Sequence, residues 1–339
     1  MKKLLFTKCL MSASVALGMI SAVGVMPASA KTVSVTKYGA RPNDNKDDTA
    51  AIQAALRANP NGTVTIPKGK FICSVIWLYG NTTLKLSKKT TMKLKKFKTH
   101  PEDAWIVYHT KKGGYKGFKH IKISGGVWDG GVHGDSKTNQ HKGIEVDHGT
   151  NLEISHMTFK NFAGIHMIET NACKNVNIHH VKFKNIYYFK GKLKSKVINH
   201  ISPQYCEAIE FDQAIKSVAY AQPWDNTPCR NVKITNCTFD NVQAGIGHHH
   251  SEDAACVKHP HNNVTISNNT FKNIKGSCIH MMNIHNGKCF NNVMYKSQIN
   301  YISSGGNTKN LQFGNNVIKD PADAESFAYE GNEYGLVKG

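Results

Sequence analysis

The sequence predicts an all-β solenoid, a parallel β-helix made of three-strand coils, and three observations carry that prediction. First, one segment is written four times, at 151–161, 175–185, 231–241 and 263–273, on the template N-[VL]-x-I-x-x-x-x-F-x-N, with a weaker copy at Asn310-Leu-Gln-Phe313. Each copy holds two short alternating apolar runs around a small polar bend, the period-two pattern of strands. Second, each copy is followed by a short strand built on an apolar-Ile pair: Gly164-Ile165, Gly245-Ile246 and Cys278-Ile279, with Gly143-Ile144 and Ala208-Ile209 alike. Third, a fixed repeat of this kind is the signature of a stacked architecture, in which strands of successive coils lie about 4.8 Å apart and like residues form ladders.

Taken in order along the chain, residues 1–30 read as an export signal. Lys2 and Lys3 give a positive start, an apolar stretch follows, and Ala28-Ser29-Ala30 supplies a cleavage-like end. The expected mature chain, 31–339, is then a single secreted domain with no membrane segment. Asp47-Asp48-Thr49 followed by Ala51, Ile52, Ala55 and Leu56 gives an N-cap signal and i, i+3, i+4 apolar spacing. It predicts one short amphipathic helix that caps the N-terminal end of the solenoid. Insertions around 187–202 and 213–227 are longer than a coil needs, and such insertions gather on the binding face of solenoids.

The opening Val33-Ser-Val-Thr-Lys-Tyr-Gly-Ala40, then 44–56 and Gly62-Thr-Val-Thr-Ile-Pro-Lys-Gly-Lys-Phe71, resembles that of the pectate-lyase-like right-handed parallel β-helix superfamily. That superfamily includes glycoside hydrolase family 28, rhamnogalacturonases and phage tailspike depolymerases. With the repeats, the resemblance spans nearly the whole mature chain. It implies a right-handed helix and a carbohydrate-active function, but not one reaction, because hydrolases, lyases, epimerases and binding proteins share the fold. The family 28 motifs Asn-Thr-Asp, Asp-Asp, Gly-His-Gly and Arg-Ile-Lys are not intact, which speaks against polygalacturonan as substrate.

Aligning the strands on their shared Ile predicts two outward columns. One is Glu145, His166, Glu210, Gly247 and His280; the other is Asp147, Ile168, Asp212, His249 and Met282, with Val146, Met167, Phe211, His248 and Met281 facing inward. Asp is poor in strands, so a ladder of acids costs stability unless the site uses it. The bland reading is a hydrated face neutralised by lysines. Glu210 and Asp212 leave one face about 6.5–7 Å apart at Cα, the arrangement in which one carboxyl stays protonated as general acid and the other activates water or attacks the sugar. Glu145, Asp147 and His249 complete the expected catalytic set, and the resemblance to family 28 implies inversion. His166, His280, Trp224, Asp225 and Tyr205 are the expected substrate contacts.

No cofactor is expected. Calcium enters only in the lyase reading, and a zinc site at Gly247-His248-His249-His250 would need outside partners such as Glu210 or Asp212. The net charge is +20, nearly all of it lysine, since Arg41, Arg57 and Arg230 are the only arginines. A field of that sign draws polyanions. For an exported chain these are acidic polysaccharides or an anionic cell wall rather than nucleic acid, although diffuse lysine also suits plain solubility. The eight cysteines after residue 30 permit disulfides but fit equally well as buried thiols. The expectation is a polysaccharide hydrolase, with a lyase or epimerase, or a non-catalytic glycan- or wall-binding protein, as alternatives.

Overall fold

The computed structural model describes residues 31–95, 104–135, 141–188, 206–218 and 221–319, and the backbone of the strands Phe327–Tyr329 and Val337–Lys338. The expected signal, 1–30, and Tyr205 lie outside the described residues. Three parallel sheets of ten, nine and ten strands stack coil on coil. One coil runs through Lys142–Asp147, Thr150–Ser155 and Thr158–Ala163, and the next through Ile168–Asn171, Lys174–His179 and Lys182–Tyr187. Among the described residues no helix is long and apolar enough to cross a membrane.

The repeated Phe builds the core. Phe159, Phe183, Phe239 and Phe271 are in register, with ring centroids 5.7, 4.9 and 4.7 Å apart and planes within 10° of parallel. The repeated Asn builds the corner. Asn151, Asn175, Asn231 and Asn263 all take positive φ, which Asn tolerates better than other side-chain-bearing residues. Each then donates its amide to the Asn one coil earlier, at 3.0, 2.8 and 3.0 Å from Asn175 onward. One residue type thus sets both the turn and the stacking register.

The helix Thr49–Ala58 buries Ile52, Ala55 and Leu56 in the same core and so covers its N-terminal end. Asp47 Oδ1 accepts from the Thr49 N–H at 2.9 Å. The Asp48 carboxylate, at the N-cap position, turns away to the Arg41 and Ile72 amides. All eight cysteines described are buried. Burial pushes the Cys229 and Cys237 thiols up to about 12, so they act as small core residues.

The structure corrects one alignment. Ile168, not Ile165, pairs with Ile144 and Ile209. Ile168 is fully buried in the core whereas Ile165 is half-exposed, because the chain uses three more residues in this corner than the Gly143-Ile144 pattern suggests. The first outward column is therefore Glu145, Glu169, Glu210, Gly247, His280. Asn171 takes the place expected for Ile168 in the second, and His166 precedes the strand instead of lying on it.

Candidate active site

The nine-stranded sheet carries the carboxylates. Although they point away from the core, Glu145, Asp147, Glu169, Glu210, Asp212 and His280 are all buried. Charged groups that leave water need partners, and the partners found here are mostly histidines. At one end His109 Nδ1 lies 2.6 Å from Asp147 Oδ2, while its Nε2 is 3.8 Å from Glu145 Oε1. Lys142 bridges Glu145, at 3.3 Å, and Glu169. Asn171 donates to Glu169 at 3.0 Å.

The centre of the strip is Glu210. His166 Nδ1 donates to the Glu207 carbonyl at 2.9 Å, and His166 Nε2 to Glu210 Oε2 at 2.5 Å. With both ring nitrogens donating, the ring is an imidazolium; burial opposes that form, but Glu210 outweighs it and raises His166 to about 9. His249 Nδ1 sits between Glu210 Oε1, at 2.9 Å, and the Glu207 carboxylate, at 3.1 Å. His280 Nδ1 meets Glu207 at 2.7 Å. Burial would lift Glu210, yet His166 and His249 hold it well below the usual carboxylate range. His249 and His280 likewise hold Glu207 far below.

Glu145 behaves in the opposite way. Burial, opposed by Lys142 and reinforced by the neighbouring Glu169, pushes it up to about 7. Burial also raises Asp147 against the pull of His109. Glu145 is thus pushed toward its protonated form, whereas Glu210 is held ionised. Asp212 has its own histidine: His248 Nδ1 donates to it at 2.6 Å, while His248 Nε2 is buried without a hydrogen-bond partner. Gly247 is needed at this point, because a Cβ there would lie 2.4 Å from the His280 carbonyl oxygen and 2.5 Å from its Cβ.

Solvent reaches the strip at His109, His249 and His250, whose side chains are 24, 18 and 24% exposed. Trp77 heads the same outward column, through Val107, and its exposed indole is edge-on to His109 at 6.0 Å. Gln53 clamps the Trp77 backbone through two 2.9 Å bonds, and a fixed aromatic face of this kind suits a sugar ring. Of the other expected substrate contacts, Trp224 is exposed and bonds Val218. Asp225 ties down the Gly114 amide at 2.6 Å. Both belong to the 213–227 insertion, which packs a small cluster of its own around Ala214, Ile215 and Ala221. Ligand atoms of Glu210, His249 and His250, and of His166, Glu169 and Glu210, converge within 4.8 Å, so a cation could be held only in exchange for these ion pairs.

Sequence reasoning missed Glu169, Glu207, Lys142, His109 and Trp77. Glu169 was hidden by the three-residue shift. Strict alternation places Glu207 with Ile209 and Phe211 toward the core, and only its position at the start of Glu207–Asp212 frees it. His109 and Trp77 sit on or beside strands that lack the repeat template.

Residues 32–186 match the family described as rhamnogalacturonase A/epimerase, pectate lyase-like. Among characterised proteins the chain is 29% identical to an iota-carrageenase of Zobellia galactanivorans over 160 residues, 45% of this chain and 32% of that enzyme, so the match spans about a third of its length. Among solved structures, the surface adhesin PfbA of Streptococcus pneumoniae superposes with a TM-score of 0.68 at 18% identity, over 86% of this chain and 80% of PfbA. A family 28 exopolygalacturonase of Yersinia enterocolitica gives 0.64 at 17%, over 88% and 60%. These structures share the stacked parallel sheets described above, so the chain has the parallel β-helix fold, and its residues 32–186 are similar to the rhamnogalacturonase A/epimerase, pectate lyase-like family.

Proposed function

We propose that the protein is a secreted glycoside hydrolase that cuts an anionic polysaccharide with inversion, Glu145 serving as general acid and Glu210 as general base. The observation that carries this reading is the opposite electrostatics of two carboxyls in one column, Glu145 pushed up and Glu210 held ionised. Environments that drive two carboxyls apart assign the acid and the base. Two coil steps separate them, roughly 9.6 Å at Cα, beside the roughly 6.5–9.5 Å carboxyl separation of inverting enzymes. Glu145 would give its proton to the glycosidic oxygen as the bond to the anomeric carbon breaks. Glu210 would take a proton from the water whose oxygen bonds to that carbon. His166 and His249 fix Glu210, and Asp212 with His248 flanks it.

Two relatives are named for cutting polysaccharides, which supports an enzyme, while the adhesin keeps a binding role as the competing class. The charge of +20 favours an anionic polymer and electrostatic retention at an anionic wall. The hydrolytic reading needs no cofactor, because His109, Lys142, His166 and His249 already neutralise the acids that calcium would require. A lyase needs a free base beside the sugar. Lys142 is a poor one, since burial would discharge it but Glu145 and Glu169 hold it charged.

The test is to incubate the purified protein with neutral and acidic polysaccharides, with calcium or with a chelator, following reducing ends and absorbance near 235 nm. New reducing ends without absorbance, unaffected by the chelator, are expected. Absorbance rising with them would establish a lyase, and silence across the panel would favour the binding class. The pH profile is a second check. Glu145 loses its proton as pH rises through about 7, so kcat/KM should fall about tenfold per unit above that value. Glu210 is ionised well below neutrality, so no acid limb is expected between pH 5 and 7. A profile flat through pH 9 would remove Glu145 from the acid's role.

A further inference from the structure

We infer that His156, His179 and His180 form a surface site for a divalent late transition-metal ion, away from the carboxylate strip, at the corner between the two ten-stranded sheets. His156 follows Thr150–Ser155, and His180 follows Lys174–His179 in the next coil, with Ser155 paired to His179. At this corner later coils place Asn236, Asn268, Asn291 and Asn315, all with φ between 53° and 58°. His156 and His180 take the same conformation, at 56° and 54°, so the backbone here accepts Asn without strain and histidine is not there to make the turn.

The side chains are arranged as a set. The His156 and His180 rings stack in parallel with centroids 5.0 Å apart, and His179 stands edge-on to both, at 5.4 and 5.2 Å. His179 Nδ1 lies 2.9 Å from His180 Nδ1. One nitrogen from each ring falls within 4.8 Å of the others. Around an ion with bonds of about 2.0–2.1 Å, such nitrogens close to roughly 3.4 Å, a contraction that side-chain torsions on an open surface supply. His156 and His180 are exposed and His179 half-exposed, so the ion can enter directly.

A carboxylate stands behind the trio: Glu153 Oε1 is 3.6 Å from His179 Nε2 and is itself held by Lys122 at 2.8 Å. A carboxylate on the far nitrogen of a ligating imidazole orients the ring and raises its basicity. Three imidazoles without thiolate suit zinc, nickel or copper and not calcium or magnesium. The coordination stays open to water or an outside ligand. Because the ligands come from two consecutive coils, the ion would staple them together.

The test is calorimetric titration of zinc into the wild-type protein and into the His156→Asn/His180→Asn variant, which restores the residue used at this corner elsewhere. One equivalent is expected to bind the wild type at micromolar concentration and to be lost in the variant, with unchanged circular dichroism and unchanged polysaccharide cleavage. Saturating zinc at about 100 times Kd should raise the wild-type Tm by roughly 3–8 °C and leave that of the variant alone. Equal zinc binding by both proteins would place the ion elsewhere and overturn the inference. So would the absence of wild-type binding up to millimolar zinc.

Discussion

Glu210→Gln is expected to lower kcat by roughly a thousandfold while leaving polysaccharide binding within a few-fold of the wild type, since positioned acid–base groups supply about 10² to 10⁴ in rate. Gln keeps the shape, and its single carbonyl oxygen can still accept from His166 or from His249 though not from both, but it cannot take a proton from water. The substitution also removes the principal charge that raises His166. His166 keeps its bond to the Glu207 carbonyl, and His249 keeps the Glu207 carboxylate. The fold should therefore survive with a modest drop in Tm. Turnover in purified variant and wild type, paired with binding to uncut polymer, is the measurement. Turnover within tenfold of wild type would exclude Glu210 as the base; loss of binding together with turnover would mean that it holds substrate.

The scaffold was legible in the sequence because each repeated residue has one job there. The four Phe became a stack and the four corner Asn a hydrogen-bonded column, since period-two alternation and positive φ are both local demands that sequence states directly. The candidate site was half legible. Glu145, Glu210 and His280 lie in one column as read, but Ile168 and His166 were placed by a Gly-Ile pattern that recurs three residues too early. Corner length is set by packing between coils, which the repeat template does not encode. Protonation was less legible still. Glu145 and Glu210 look alike in sequence, and only the imidazoliums gathered around Glu210, against the Glu169 beside Glu145, tell them apart.

Phe239→Ala should destabilise the protein by about 3–5 kcal/mol, the cost of deleting a fully buried aromatic and leaving its cavity. Phe239 is wholly buried between Phe183 at 4.9 Å and Phe271 at 4.7 Å. The coils above and below cannot close on the gap, because backbone hydrogen bonds fix their spacing near 4.8 Å. A solenoid also lacks distant contacts to compensate, since each coil touches only its neighbours. With an unfolding entropy of about 2.1 cal/mol/K per residue, a chain of this length loses about 1.5 °C per kcal/mol, so Tm should fall by about 4–8 °C. Lys184→Ala, a solvent-facing change one coil earlier in the same sheet, should stay within about 0.5 kcal/mol. The weakened coil also carries Ala244–His248, whose Gly247 admits His280 and whose His248 holds Asp212. Cleavage by Phe239→Ala should therefore fail at a lower temperature than global unfolding. A Tm within about 2 °C of wild type would mean that the Phe stack does not set the stability of the solenoid.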